Sequence, residues 1–195
     1  HVATDLAATA DALARRYGKG AYVGYSMGGR IALHVALTHP DLVSHLVLCG
    51  TTAGIDDPAA RAARLAADSH LASHIRDVGV DTFLTEWLAQ PMFSTLAVTT
   101  HDAEVRAANT AEGLAASLES AGTGTQEPLW DRLHILSMPV LVVTGENDEK
   151  FTALGRRLVD CIGENARHVE VPGAGHAVPF ERSADFAAML SAFLR

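Results

Sequence analysis

Several things are scarce in this sequence, and each scarcity excludes something. Its longest apolar runs, such as Pro139–Val143, fall far short of the roughly 20 residues that span a bilayer. The pattern of a secretory signal, a basic start followed by an apolar block, is not found. Basic residues are few: 15 Lys and Arg stand against 23 Asp and Glu, a formal net charge of -8. A nucleic-acid binder normally carries a basic stripe, and none is visible. The two cysteines, Cys49 and Cys161, form no spaced motif, so neither a disulfide framework nor a zinc knuckle is implied. These absences predict a cytoplasmic, reducing setting, with no nucleic acid or membrane as partner. A starting methionine is missing too: His1 opens a chain whose first residues already read as a helix. The expectation is that 195 residues are not the whole protein.

What is present suffices for a sizeable core. The chain is 48% hydrophobic and 19% charged, at a length typical of one domain. Thr4 is a candidate N-cap for a helix running to Tyr17, with Leu6, Ala10, Leu13 and Ala14 at helical spacing. Ala21–Tyr25 reads as a short strand, Met27–Thr38 as a buried helix, and His45–Gly50 as a second strand. From residue 56 to 126 strand signals vanish. Helical stretches follow at Asp57–His74, Val80–Ala89 and His101–Ala121. Strands return at Pro139–Thr144 and Arg167–Val171, with helices at Ala153–Ile162 and Ser183–Leu194. This alternation predicts an α/β fold with a mostly parallel sheet, residues 1–55 and 127–195, interrupted by a helical cap over 56–126. No repeat or low-complexity tract stands out.

Gly24-Tyr25-Ser26-Met27-Gly28 fits the pattern G-x-S-x-G, with a strand before it and a helix after it. The chemistry explains the spacing. The serine must sit on a sharp strand-to-helix turn so that its hydroxyl projects above the sheet. Gly24 and Gly28 are expected to make room for neighbouring backbone, and the Met27 N–H to point at a developing oxyanion. The bland reading is a glycine-rich turn with an incidental serine; strand and helix in the required places weigh against it.

A serine needs a histidine to take its proton, and that imidazole needs a carboxylate. Asp148 follows the Pro139–Thr144 strand, at the end where parallel sheets place their sites. Its neighbours Glu146 and Glu149 could take the same role. His176, in Pro172-Gly-Ala-Gly-His176, follows the next strand, which completes the chain order Ser, Asp, His. His34 reads as packing, and His45, His134 and His168 lack a partner motif. His70 and His74 are four apart but lack the Glu of a zinc site and a third ligand, so no metal and no cofactor are expected. Gly122–Gln126 lacks the ending of a phosphate loop.

These residues resemble the α/β-hydrolase superfamily from Thr4 to the C-terminus. Within it the chain is most similar to the family of 2-succinyl-6-hydroxy-2,4-cyclohexadiene-1-carboxylate synthases, lyases of menaquinone biosynthesis. The likeness is carried by Gly24–Arg30 (GYSMGGR), Gly145–Phe151 (GENDEKF), Trp87 with Pro91-Met-Phe93, Arg106 with Asn109, and Gly122–Gln126 with Trp130. The resemblance implies that Ser26 acts chiefly as a base, removing a proton beside a carbonyl so that pyruvate is eliminated. It implies that Arg30 and Arg106 bind carboxylates of a small-molecule substrate, with Arg64 a further candidate. It also implies that Tyr25 and Trp87 line the pocket. In the family, strands precede the helix that begins this chain, and a loop among them supplies the second oxyanion donor. The expectation is therefore an N-terminally truncated fold that would be insoluble or inactive if expressed alone. Two rival readings remain: an ester or carbon–carbon bond hydrolase working through an acyl-serine, and a non-catalytic binding module on the same fold.

Overall fold

The computed structural model describes residues 5–195, apart from the side chains of residues 100 and 101; Thr4, the expected N-cap, lies outside them. From Leu6 onward the chain divides into two compact units, Leu6–Ala53 with Leu129–Arg195, and Gly54–Pro128.

The first unit is built on four parallel strands, β1 (Gly20–Tyr25), β2 (Val43–Cys49), β3 (Val140–Gly145) and β4 (Ala166–Val171), in the order β1-β2-β3-β4. Among the described residues β1 pairs only with β2 and so forms an edge. Helices α1 (Leu6–Tyr17) and α2 (Met27–Thr38) flank β1 in sequence. Successive residues of a strand point to opposite faces, and both faces here are covered. Leu46, Leu48, Val140 and Val142 join α1 and α2 in one core, together with α6 (Glu149–Ile162) and Trp130. Val47, Cys49, Leu141 and Val143 pack with Phe186 on the other face, beside Met189 and Leu190 of the last helix (Ser183–Phe193). That double covering is why β3 is buried at all six positions and reads as one unbroken apolar run. A single turn of helix, α7 (Val178–Glu181), precedes the last helix, α8, and has no counterpart in the sequence reading.

The second unit is helical: α3 (Pro58–Leu88), α4 (Thr100–Ala107) and α5 (Ala111–Ala121). The two expected helices, Asp57–His74 and Val80–Ala89, follow one another along α3 and meet at a kink at Gly79, whose φ of 76° and ψ of 175° are not helical; the first runs on past His74 to the kink. The expected single helix His101–Ala121 is instead two. The Asn109 side-chain amide donates to Arg106 O, and Thr110 Oγ1 accepts from Gly113 N, so one helix closes and the next begins there. Arg76 of α3 donates to both Glu112 and Glu119 of α5, at 2.7–2.9 Å. Its hydrogen bonds hold both carboxyls below the usual range. No helix among the described residues is long and apolar enough to cross a membrane.

Candidate active site

Ser26 is the one non-glycine residue among those described with a positive φ, 51°. An L-residue holds that conformation only when its surroundings impose it. They do so here from three sides. Ser26 N donates to Cys49 O at 2.8 Å, which ties the turn to the end of β2. The Thr51 hydroxyl donates to Ser26 O at 2.8 Å. The first turn of α2 closes on the same carbonyl, through Gly29 N at 3.1 Å and Arg30 N at 3.2 Å. Thr51 had no signal of its own in the sequence, because its role depends on β2 ending beside the turn.

The glycine pattern needs one correction. A Cβ at Gly24 would lie 2.2 Å from Gly28 O, so Gly24 must be glycine. At Gly28 a Cβ would meet nothing within 4 Å; the second crowded position is Gly29, where it would lie 2.7 Å from Thr51 Cβ. The helix passes close at Gly28 with its backbone carbonyl, while the side of Gly28 is open.

His176 is buried, and its ring is held at both nitrogens. Nδ1 lies 2.7 Å from Asp148 Oδ2 and Nε2 lies 3.2 Å from Ser26 Oγ. An ionised carboxylate can only accept, so Nδ1 carries the proton and Nε2 presents its lone pair to the serine hydroxyl. Asp148 is itself fixed as the N-cap of α6, its Oδ1 accepting from Phe151 N at 3.3 Å. Among the three acids of the loop, this is the one that meets His176. Glu146 accepts from Gly173 N, and Glu149 is exposed in the first turn of α6. Phe151 and Tyr25 flank the imidazole, with ring centroids 4.5 and 5.4 Å away, and Phe180 stands edge-on to Tyr25. Behind the site, burial and then the charge of Asp148 push the Cys49 thiol up to about 12, which keeps it protonated and inert.

The other predicted residues lie as follows. Met27 begins α2, and Arg30 sits in its first turn with only 7% of its surface exposed. In the helical unit, Trp87 and Arg106 line one cavity of about 250 Å³ with Ile75, Phe83, Asn109 and Leu118. Among the described residues no carboxylate pairs with Arg106. Arg64 is different: its Nε donates to the buried Asp68 one turn along α3 at 2.7 Å, so an acid of its own helix already engages it. His74 pairs with Glu86, and His168 with Thr144; no group among the described residues could hold a metal ion.

Three comparisons with known proteins bear on this arrangement. The profile of the α/β hydrolase fold family matches residues 5–183. A Bacillus subtilis protein assigned as a 2-succinyl-6-hydroxy-2,4-cyclohexadiene-1-carboxylate synthase is 37% identical over 98% of this chain and 70% of its own length. The enzyme of that name from Serratia proteamaculans is 34% identical over 97% of this chain and 74% of its own. Among solved structures, MenH from S. aureus matches with a TM-score of 0.91 at 28% identity, covering 97% of this chain and 75% of that one. A thermophilic esterase from Thermogutta terrifontis matches with a TM-score of 0.76 at 27% identity, covering 100% of this chain and 73% of the other.

Proposed function

The chain belongs to the α/β-hydrolase fold family and, within it, to the 2-succinyl-6-hydroxy-2,4-cyclohexadiene-1-carboxylate synthases; from that membership we propose that it is a cofactor-free lyase of the menaquinone pathway, working through Ser26, His176 and Asp148. The observation that carries this is the unbroken line Ser26 Oγ–His176 Nε2 and His176 Nδ1–Asp148 Oδ2, at 3.2 and 2.7 Å, on a serine held at positive φ.

In the proposed reaction His176 Nε2 takes the Ser26 proton as Ser26 Oγ takes the proton beside a substrate carbonyl. Asp148 stabilises the imidazolium so formed. The N–H of Met27, at the positive end of α2, stabilises the enolate oxygen. The electron pair then expels pyruvate, and His176 holds the proton that the departing group needs. Arg30 and Arg106 bind carboxylates, since the guanidinium fork matches them in shape and charge. Tyr25, beside the His176 ring, and Trp87, in the cavity of the helical unit, are the further proposed substrate contacts, and Arg64 contributes through the part of its fork that Asp68 does not engage.

The likeness to an esterase favours a second reading, in which Ser26 forms an acyl-enzyme that water hydrolyses. One assay separates the two. Pyruvate release from the pathway intermediate should require Ser26, and Asp148→Asn should lower kcat about 10³–10⁴-fold. Arg106→Ala should raise KM for the polycarboxylate substrate while sparing a neutral p-nitrophenyl ester. Rapid ester turnover with no pyruvate formed would favour the acyl-enzyme and sink the lyase.

A further inference from the structure

The loop carrying His176 is gripped on both sides of the imidazole by one carboxylate. Glu181, the last residue of α7, accepts from Gly175 N at Oε2, 2.6 Å, and from Ala177 N at Oε1, 2.8 Å. These are the amides immediately before and after His176. Both bonds are short, as bonds to a charged acceptor are. Residues 174–178 are buried, so water offers these two donors little alternative. The loop needs such a grip. It runs Pro172-Gly-Ala-Gly-His176, Gly173 has a φ of 67°, and two glycines in four residues leave the backbone little stiffness of its own. Opposite, Gly145 packs so tightly against the loop that a Cβ there would lie 2.1 Å from Gly175 O, so the grip presses against a wall.

We infer that Glu181 is a positioning residue for proton transfer. By fixing the two amides that flank His176, its carboxylate fixes the direction in which the Cα–Cβ bond leaves the chain. The ring is thereby held with Nε2 toward Ser26 and Nδ1 toward Asp148 at the same time. The inference rests on the reading of Ser26 and His176 as the reacting pair. Its consequence is specific: losing Glu181 degrades the reactivity of Ser26 and leaves ligand binding alone.

The test is the rate at which a fluorophosphonate phosphonylates Ser26 in the whole protein, with the maximal rate and the half-saturating concentration measured separately. The parent should be labelled at Ser26, and Ser26→Ala should not be. In Glu181→Ala the maximal rate should fall about 10- to 100-fold, the scale of an ångström's misplacement, with half-saturation changed by less than about twofold. Glu181→Gln keeps the length of the side chain and one carbonyl acceptor, so it should fall in between. It also carries the comparison if the alanine variant melts too early to assay. A labelled parent with Glu181→Gln and Glu181→Ala reacting just as fast overturns the inference while leaving the Ser26–His176 pair standing. A parent that is not labelled at Ser26 overturns both.

Discussion

At Gly24 the backbone of α2 leaves no space for a methyl group, because the atoms a Cβ would strike are Gly28 O and Gly29 N, at 2.2 and 2.5 Å. Backbone cannot swing aside as a side chain can. Gly24→Ala should therefore cost about 3 kcal/mol or more and lower Tm by roughly 6–12 °C. Gly28→Ala should be neutral or gain up to about 1 kcal/mol, because the site is open and alanine is the better helix former. Scanning calorimetry of the two variants checks the pair, and a Gly24→Ala variant as stable as the parent would show that the room is not needed at Gly24. At this scale the sequence was highly legible. Ser26, Asp148 and His176 could be named because the chemistry demands their types and their order. Thr51 and Glu181 could not, because a threonine or a glutamate is unremarkable until the turn or loop it grips lies beside it.

Apart from the single turn α7, the helices and strands of the α/β unit were legible to within a few residues, since strands covered on both faces read as solid apolar runs. The helical unit was harder. Its alanine-rich stretches favour helix throughout, so periodicity alone says little about where helices end. The decisive signals were small local ones: Thr110 capping Gly113, Asn109 closing on Arg106, and the capping box between Thr99 and Asp102. Gly79 marks the break between the two expected helices, with a backbone conformation that only glycine holds easily. A Cβ there would touch nothing, so Gly79→Ala isolates the backbone cost. It should destabilise the helical unit by ~1–3 kcal/mol or straighten α3. Hydrogen exchange of the α3 and α5 amides measures this. Slower exchange throughout both helices would mean that the kink is not needed.

Stability against pH belongs to the whole molecule, and one buried group sets an expectation at its alkaline end. Cys49 has a folded pKa raised from 9.0 to about 12 by burial first and by Asp148 second. The unfolded chain ionises this thiol near pH 9 while the folded chain keeps it protonated. Unfolding therefore releases a proton above pH 9, and stability falls as pH rises, by about 1.4 kcal/mol per unit, until the folded thiol ionises. Urea unfolding at pH 8, 9.5 and 11 should show this slope, and Cys49→Ala should flatten it by one proton. An identical slope in the variant would remove Cys49 as its source.

The sequence by itself determined the class of fold, the family, and the three residues offered for proton transfer. Each depends on patterns short in sequence: the strand–turn–helix around Ser26, an acid after one strand, a histidine after the next. Only the tertiary structure decided which of three neighbouring acids meets His176, that Gly29 and not Gly28 is the second crowded glycine, and that Arg64 is engaged by Asp68. It alone showed that one carboxylate grips the chain on both sides of the histidine. The physical reason is common to all four. A hydrogen bond or a steric contact is decided by tenths of an ångström between groups that packing brings together, and sequence spacing does not encode such distances.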